Sequence, residues 1–348
     1  MGAGAGSKGD RPVGHSKDGA SDDEGGAVRT VFVGSGSFAV PALRAAAAAP
    51  ETMIVGVVTA PPRPAGRHLR LTPSPVATVA TELGLGPILT PERLRSEADI
   101  AAISGLRPAL IVLADYGQLV PAALLEVPYR ALNLHPSLLP RHRGASPIPA
   151  TILAGDRRTG VSLMRMDAGL DTGPIVAVET VELTGHETAP DLEIRLADLG
   201  ATLLARSLGP WLRGEQREQP QATEGLTLTR PLRRSDGRLD PAAPAHQLER
   251  HVRACQPWPG SFVEIDGLRI AIWSARVANP DEAMPTSLTA AAGRVGQIVQ
   301  VGPNLGLVAA DGVLEWLEVQ PAGGRRMGSA ELDRGRPGLL GRVVDEPR

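Results

Sequence analysis

The chain has 348 residues, 42% of them hydrophobic, which is enough for two cores, and with aromatics at 3% those cores must be built from Leu, Val, Ala and Ile. A net charge of −2 and a pI near 6.4 exclude a globally basic nucleic-acid binder, so any RNA contact has to be local. One cysteine, Cys255, excludes an internal disulfide framework and a cysteine zinc cluster, and no run approaches the ~18 consecutive apolar residues of a membrane-spanning helix.

Residues 1–27 are mostly Gly, Ser, Asp and Lys, too poor in large apolar side chains to offset the entropy of ordering, and a disordered tail is expected. The N-terminus has no apolar h-region, so no secretory signal is expected and a reducing cytoplasm fits. Thr30-Val-Phe-Val33 reads as a buried strand, and Gly34-Ser-Gly36 turns it into the Ala-rich helix after Phe38. The third glycine of a dinucleotide-binding fingerprint is missing, which leaves a tight strand-to-helix turn as the expected role. A second strand covers 53–58, and helices are expected over 76–83 and 91–104, the latter with Thr90 as N-cap. Ala109-Leu-Ile-Val-Leu-Ala114 is a continuous apolar run, as in a central parallel strand covered on both faces.

The next apolar run ends in Asn133 and His135, two residues apart, so in a strand both side chains leave one face. Pro136, Pro140, Gly144, Pro147 and Pro149 keep the adjoining segment irregular. Asn offers a neutral amide donor, and His can donate, accept or carry charge near neutral pH. The pair suits polarisation of a carbonyl and movement of one proton, although Asn-x-His at a strand end can also be a simple turn. Strands over 161–166 and 174–183 bracket Asp167-Ala-Gly-Leu-Asp171-Thr-Gly173, whose carboxylates either shape an Asx turn or complete the pair. Leu192, Leu196, Leu199 and Leu203 lie at helical spacing within 190–212, which closes a first domain of alternating strands and helices on an open parallel sheet. Residues 213–235 are polar and proline-marked, as in a linker. A helix over 245–254 and short strands over 262–265, 268–274, 294–301, 306–310 and 313–319 suggest a second, small β-barrel domain.

Asn133-Leu-His135-Pro-Ser-Leu-Leu-Pro140 with Asp167-Ala-Gly-Leu-Asp171-Thr-Gly173 resembles the signature of the folate-dependent formyltransferases. Phe32-Val-Gly-Ser-Gly-Ser-Phe-Ala-Val-Pro-Ala-Leu43, Arg63-Pro-Ala-Gly-Arg67, Leu71-Thr-Pro-Ser-Pro-Val76 and Tyr116-Gly-Gln118 narrow the resemblance to the methionyl-tRNA formyltransferase branch. So do Arg143-Gly-Ala-Ser-Pro-Ile148, Gln256-Pro-Trp-Pro-Gly260 and Leu317-Glu-Val-Gln-Pro-Ala322. The resemblance implies an α/β architecture: a Rossmann-like formyltransferase domain over 28–212, the linker 213–235 and an OB-like tRNA-binding domain over 236–348. It further implies 10-formyltetrahydrofolate as co-substrate, no metal, and initiator Met-tRNA as acceptor, giving N-formylmethionyl-tRNA for translation initiation in the cytoplasm by a monomer.

Carried over by position, the resemblance makes Asn133, His135 and Asp171 the catalytic group, with Asp167 and Thr172 as second choices. It places folate on Ser137, Leu138, Leu139 and Pro140. It places tRNA against Arg63, Arg67 and Arg70, in a stretch (61–75) without a carboxylate. Two departures stand out. His68, Leu69 and Arg70 occupy positions where relatives carry lysine. Asp115 replaces a small apolar residue at a strand's carboxyl end, either facing the site or capping a helix. An amino-sugar or small-amine acceptor, a formate-releasing hydrolase and a non-catalytic folate or RNA binder are the rival readings.

Overall fold

The computed structural model describes residues 26–65, 69–125, 130–279 and 294–346, so the tail expected to be disordered lies outside the described residues except for Gly26 and Ala27. The first apolar run forms β1 (Val28–Gly34), buried from Thr30 onward. A Cβ on Gly34 would stand 2.6 Å from the Ala114 carbonyl oxygen, so the close approach of neighbouring backbone requires glycine there. Helix α1 (Ala39–Ala48) buries Ala39, Ala42, Leu43 and Ala46, one face at i, i+3, i+4 and i+7. The chain continues through β2 (Thr52–Val58), the small hairpin of β3 (Arg63–Ala65) and β4 (Arg70–Thr72), α2 (Pro75–Glu82), β5 (Ile88–Leu89), α3 (Glu97–Gly105) and β6 (Leu110–Ala114).

The helix expected over 91–104 starts later, at Glu97. Ser96 displaces Thr90 as the cap because its hydroxyl accepts from Asp99 N at 3.1 Å, and Glu97 and Asp99 complement the positive helix end. Residues ahead of it are held as turns by Gln118, whose Oε1 accepts from Leu94 N at 2.9 Å.

Next come β7 (Arg130–His135), β8 (Arg143–Gly144), α4 (Pro147–Ala154), β9 (Arg158–Arg165), β10 (Ile175–Glu182) and α5 (Ala189–Leu212), the last opened by a reciprocal Thr188–Asp191 capping box. The main sheet runs β10-β9-β7-β6-β1-β2-β5. Strands β5, β2, β1, β6 and β7 are parallel, whereas β9 runs antiparallel to both of its neighbours, β7 and β10, so the expected parallel sheet is mixed. The reason is connectivity: a direct loop over 166–174 joins β9 to β10, and only a crossover could have made them parallel. Both faces are covered. Phe32, Leu110, Leu134 and Leu163 pack with Leu43, Leu192 and Leu203 on one side, and Val31, Val33, Ile111 and Leu113 with Leu94 and Ile103 on the other.

The segment expected as a linker folds back onto this domain. Gln219 and Ile175 exchange backbone hydrogen bonds at 2.7 and 2.8 Å, and β11 (Leu228–Thr229) pairs in parallel with β8. Beyond it lie α6 (Ala245–Ala254), β12 (Ser261–Ile265), β13 (Leu268–Val277), β14 (Ile298–Val301), β15 (Asn304–Val308), β16 (Val313–Pro321), β17 (Met327–Gly328) and α7 (Ser329–Gly335). These strands form one antiparallel sheet, β12-β13-β16-β15-β14 with β17 on β16, closed by Leu248 and Val252 of α6 over Ile270, Ile272, Leu305 and Trp316. Helices α4 and α6 pack on each other across the two units. Among the described residues no helix is long and apolar enough to cross a membrane.

Candidate active site

Asn133 and His135 sit at the carboxyl end of β7, 6% and 5% exposed, on one face of the strand as their spacing requires. Asp171 reaches them from the 166–174 loop. That loop is tight: a Cβ on Gly173 would fall 1.8 Å from the Arg165 carbonyl oxygen, so only glycine passes there. Asp167 shapes the bend, its Oδ1 accepting from Gly169 N at 3.0 Å and from the Thr172 hydroxyl at 2.6 Å. Asp171 itself takes a left-handed backbone, φ 52°.

The Asp171 carboxylate is the hub. Its Oδ1 accepts from Asn133 Nδ2 at 3.2 Å, its Oδ2 accepts from Gly144 N at 2.8 Å, and His135 Nδ1 stands 3.6 Å from the same Oδ2. His135 Nε2 lies 2.9 Å from the His142 carbonyl. A carbonyl only accepts, so Nε2 carries the proton and Nδ1 is the nitrogen turned to Asp171.

A second layer holds His142. Its ring Nε2 donates to Asp156 Oδ2 at 2.9 Å, and Asp156 also receives Arg141 Nε at 2.8 Å and Nη2 at 2.6 Å. Burial pushes the Asp156 carboxyl up, but the hydrogen bonds and charges of Arg141 and His142 prevail and hold it below its usual range. Burial also lowers the His142 imidazole, against the pull of Asp156. Thr227, from the interdomain segment, accepts from His142 N at 2.8 Å. From the same segment, Gln221 donates from Nε2 to the carbonyls of Asp171 (2.8 Å) and Gly173 (2.7 Å), while its Oε1 accepts from Arg143 Nε (2.9 Å) and Nη2 (2.7 Å). Sequence reasoning misses both Thr227 and Gln221, because a polar, proline-marked stretch reads alike whether solvated or docked.

The trio opens on a cleft of about 570 Å³ whose walls include Asp115, Gln118, Leu119, Leu170, Pro257 and Trp258. Asp115 faces this cleft rather than capping a helix. Its carbonyl accepts from Ser35 N at 2.9 Å and Gly36 N at 3.2 Å, and a Cβ on Gly36 would stand 1.7 Å from Asp115 Oδ2, so glycine makes room for the carboxyl. Desolvation by the cleft walls, then the charge of Glu193, pushes that carboxyl up to about 6, while the residue as a whole stays exposed to solvent. Glu193 in turn accepts from the Ser37 hydroxyl.

Ser137, Leu138, Leu139 and Pro140, expected to hold folate, are not brought to this cleft. Ser137 is fully buried, its hydroxyl donating to Arg141 O at 2.6 Å, and Leu139 N donates to Ser162 Oγ at 3.1 Å. Leu138 and Pro140 line a separate groove with Arg141 and Arg158. Past Pro136 the chain turns onto β9 and becomes the support of His142. Arg63 and Arg70 are exposed on the β3–β4 hairpin, and Arg67 lies outside the described residues.

Comparison with known proteins bears on this site. Residues 28–208 match the family model described as formyl transferase, and residues 231–337 match the formyl transferase C-terminal domain. The chain is 43% identical over 305 residues to the methionyl-tRNA formyltransferase of Chloroflexus aggregans, covering 87% of this chain and 96% of that one. It is 42% identical over 310 residues to the enzyme of that name from Thermus thermophilus, covering 88% and 96%. Among solved structures, the N-formyltransferase from Helicobacter canadensis, in complex with folinic acid and dTDP-3-aminofucose, shares the fold with a TM-score of 0.58 at 14% identity, covering 83% of this chain and 98% of that one. HypX from Aquifex aeolicus, in complex with tetrahydrofolic acid, does so with a TM-score of 0.56 at 15% identity, covering 88% and 47%.

Proposed function

The chain belongs to the formyl transferase family, and from that premise we propose that it transfers the formyl group of 10-formyltetrahydrofolate to the methionyl amino group of initiator Met-tRNA. The observation that carries this reading is the meeting of Asn133, His135 and Asp171 at the β7 edge of a cleft walled by both domains. The near full-length relatives at about the same identity, named for that reaction, support the acceptor.

The carrier supplies a formyl group already activated on nitrogen. The attacking amine must be neutral, and the formyl oxygen gains negative charge as the new C–N bond forms. Asn133 spends one amide N–H on Asp171 and keeps a second for that oxygen; such a donor typically contributes about 3–4 kcal/mol to the transition state. The gap between His135 Nδ1 and Asp171 Oδ2, 3.6 Å, exceeds a direct hydrogen bond and leaves both atoms open to the reacting groups. A second proton on Nδ1, which makes the imidazole cationic beside Asp171, stabilises the oxyanion, and Asp171 takes the proton that the amine loses. When the carbonyl re-forms, the bond from the formyl carbon to the folate nitrogen breaks and that nitrogen leaves with the proton.

The pterin fits in this cleft against Gly117, Gln118, Leu119 and Leu170. The acceptor stem lies against the β3–β4 hairpin, with Arg63, Arg67 and Arg70 on its phosphates. We assign the protein to the cytoplasm, acting as a monomer. Labelled 10-formyltetrahydrofolate, offered together with Met-tRNA, a dTDP-amino sugar and water, tests the assignment. Label is expected on Met-tRNA; transfer to the sugar, or release as free formate alone, would overturn it.

A further inference from the structure

We propose that Gln221 is a positioning residue for Asp171, an inference that rests on the reading of Asp171 as part of the catalytic group. Asp171 is held in the left-handed region, φ 52°, which a residue with a Cβ does not favour unless its surroundings fix it. Both protons of the Gln221 side-chain NH₂ are committed to that loop, one to the Asp171 carbonyl at 2.8 Å and one to the Gly173 carbonyl at 2.7 Å. The orientation of the amide is unambiguous. Its oxygen receives two N–H groups of Arg143, at 2.9 and 2.7 Å, and a flipped amide would set oxygen against two carbonyls and NH₂ against a guanidinium.

Arg143 extends the clamp to the other side of the carboxylate. It belongs to β8, whose next residue, Gly144, donates its N–H to Asp171 Oδ2 at 2.8 Å. Gln221 therefore ties the main chain of Asp171 to the strand that binds its side chain. Gln221 is itself fixed on both flanks, by the Gln219–Ile175 backbone pair before it and the β11–β8 pairing after it. The contact that completes the site thus arrives from the interdomain segment.

The test compares Gln221→Met, which keeps the shape and loses every hydrogen bond, with Gln221→Glu, which keeps the Arg143 partner and places a carboxylate against two carbonyls. Turnover should fall roughly tenfold or more in the Met variant and further in the Glu variant, with KM for both substrates within about threefold of wild type. In an Asp171→Ala background, Gln221→Met should add no further loss, because a residue that acts only through Asp171 has nothing left to position. Turnover within about twofold of wild type in Gln221→Met, alongside a severely impaired Asp171→Ala, would overturn the inference alone. An undiminished Asp171→Ala would instead remove the catalytic reading beneath it. If the Met variant misfolds, the Glu variant and its Asp171→Ala double decide by the same comparison.

Discussion

The main-chain carbonyl of His142 takes the Nε2 proton of His135 at 2.9 Å, while the His142 ring turns away and ends on Asp156, also at 2.9 Å. One residue thereby sets the tautomer of its neighbour with its backbone and anchors itself with its side chain. The nitrogen left facing the cleft is Nδ1, across from Asp171.

Removing either member of that facing pair should be costly. His135→Ala and Asp171→Ala are each expected to lower kcat by roughly two orders of magnitude or more, with folate binding changed by no more than several-fold. Single-turnover rates at saturating substrates measure this directly. Intact turnover in either variant removes that residue from the catalytic group.

Asp156 should matter at one remove. Asp156→Ala leaves the buried His142 Nε2–H without its acceptor and frees Arg141, a loss of about 1–3 kcal/mol in stability. Turnover should drop as well, through a looser His142 carbonyl. Because the folded Asp156 carboxyl is held below its ordinary value of 3.8, its stabilising contribution is present above that value and lost as pH falls below it. Denaturant unfolding of the wild type and the variant at pH 7 and pH 3 should show the difference shrink in acid; an equal difference at both would refute the assignment.

Asp115 runs the opposite way. Its carboxyl is pushed up from 3.8 to about 6, so the folded protein holds an extra proton between those values and loses stability as pH rises through them. Asp115→Asn should therefore raise the melting temperature more at pH 7.5 than at pH 5. A gain that does not depend on pH would show that the carboxyl is not desolvated in the cleft.

The hairpin arginines make a prediction about salt. If Arg63, Arg67 and Arg70 meet tRNA phosphates, changing any one to Ala should lower the slope of log affinity against log salt by about one unit and leave KM for the folate alone. Unchanged slopes in all three variants would return the hairpin to a merely solvated loop.

Much of this arrangement is legible in the sequence alone. The period of a strand puts Asn133 and His135 on one face, and the continuous apolar run ending at Ala114 fits a strand covered on both sides. That Asp171 reaches them depends on the antiparallel β9–β10 pair, whose direction follows from a short connection rather than from any pattern in the strands. Ser137 to Pro140 are harder to read, because two leucines between a serine and a proline look the same in a ligand loop and in a loop packed on a sheet. Helix α3 begins late because Ser96 has Asp99 three residues on, whereas Thr90 precedes residues tied to Gln118. Gln221 and Thr227 are illegible for a plainer reason: their roles are contacts with residues far away in the chain.

The docking of β11 on β8 also says where this molecule can be cut and rejoined. A Cβ on Gly144 would stand 2.3 Å from the Thr229 carbonyl oxygen, so the two backbones are fitted to each other at that point. The covalent boundary after Leu212 is therefore not the functional one. In a chimera that exchanges the C-terminal half with a relative's, the segment from 213 through Thr229 belongs with the donor of the first domain. A graft made at Leu212 would give that domain a foreign strand to pair with, and a foreign residue where Gln221 should meet Asp171.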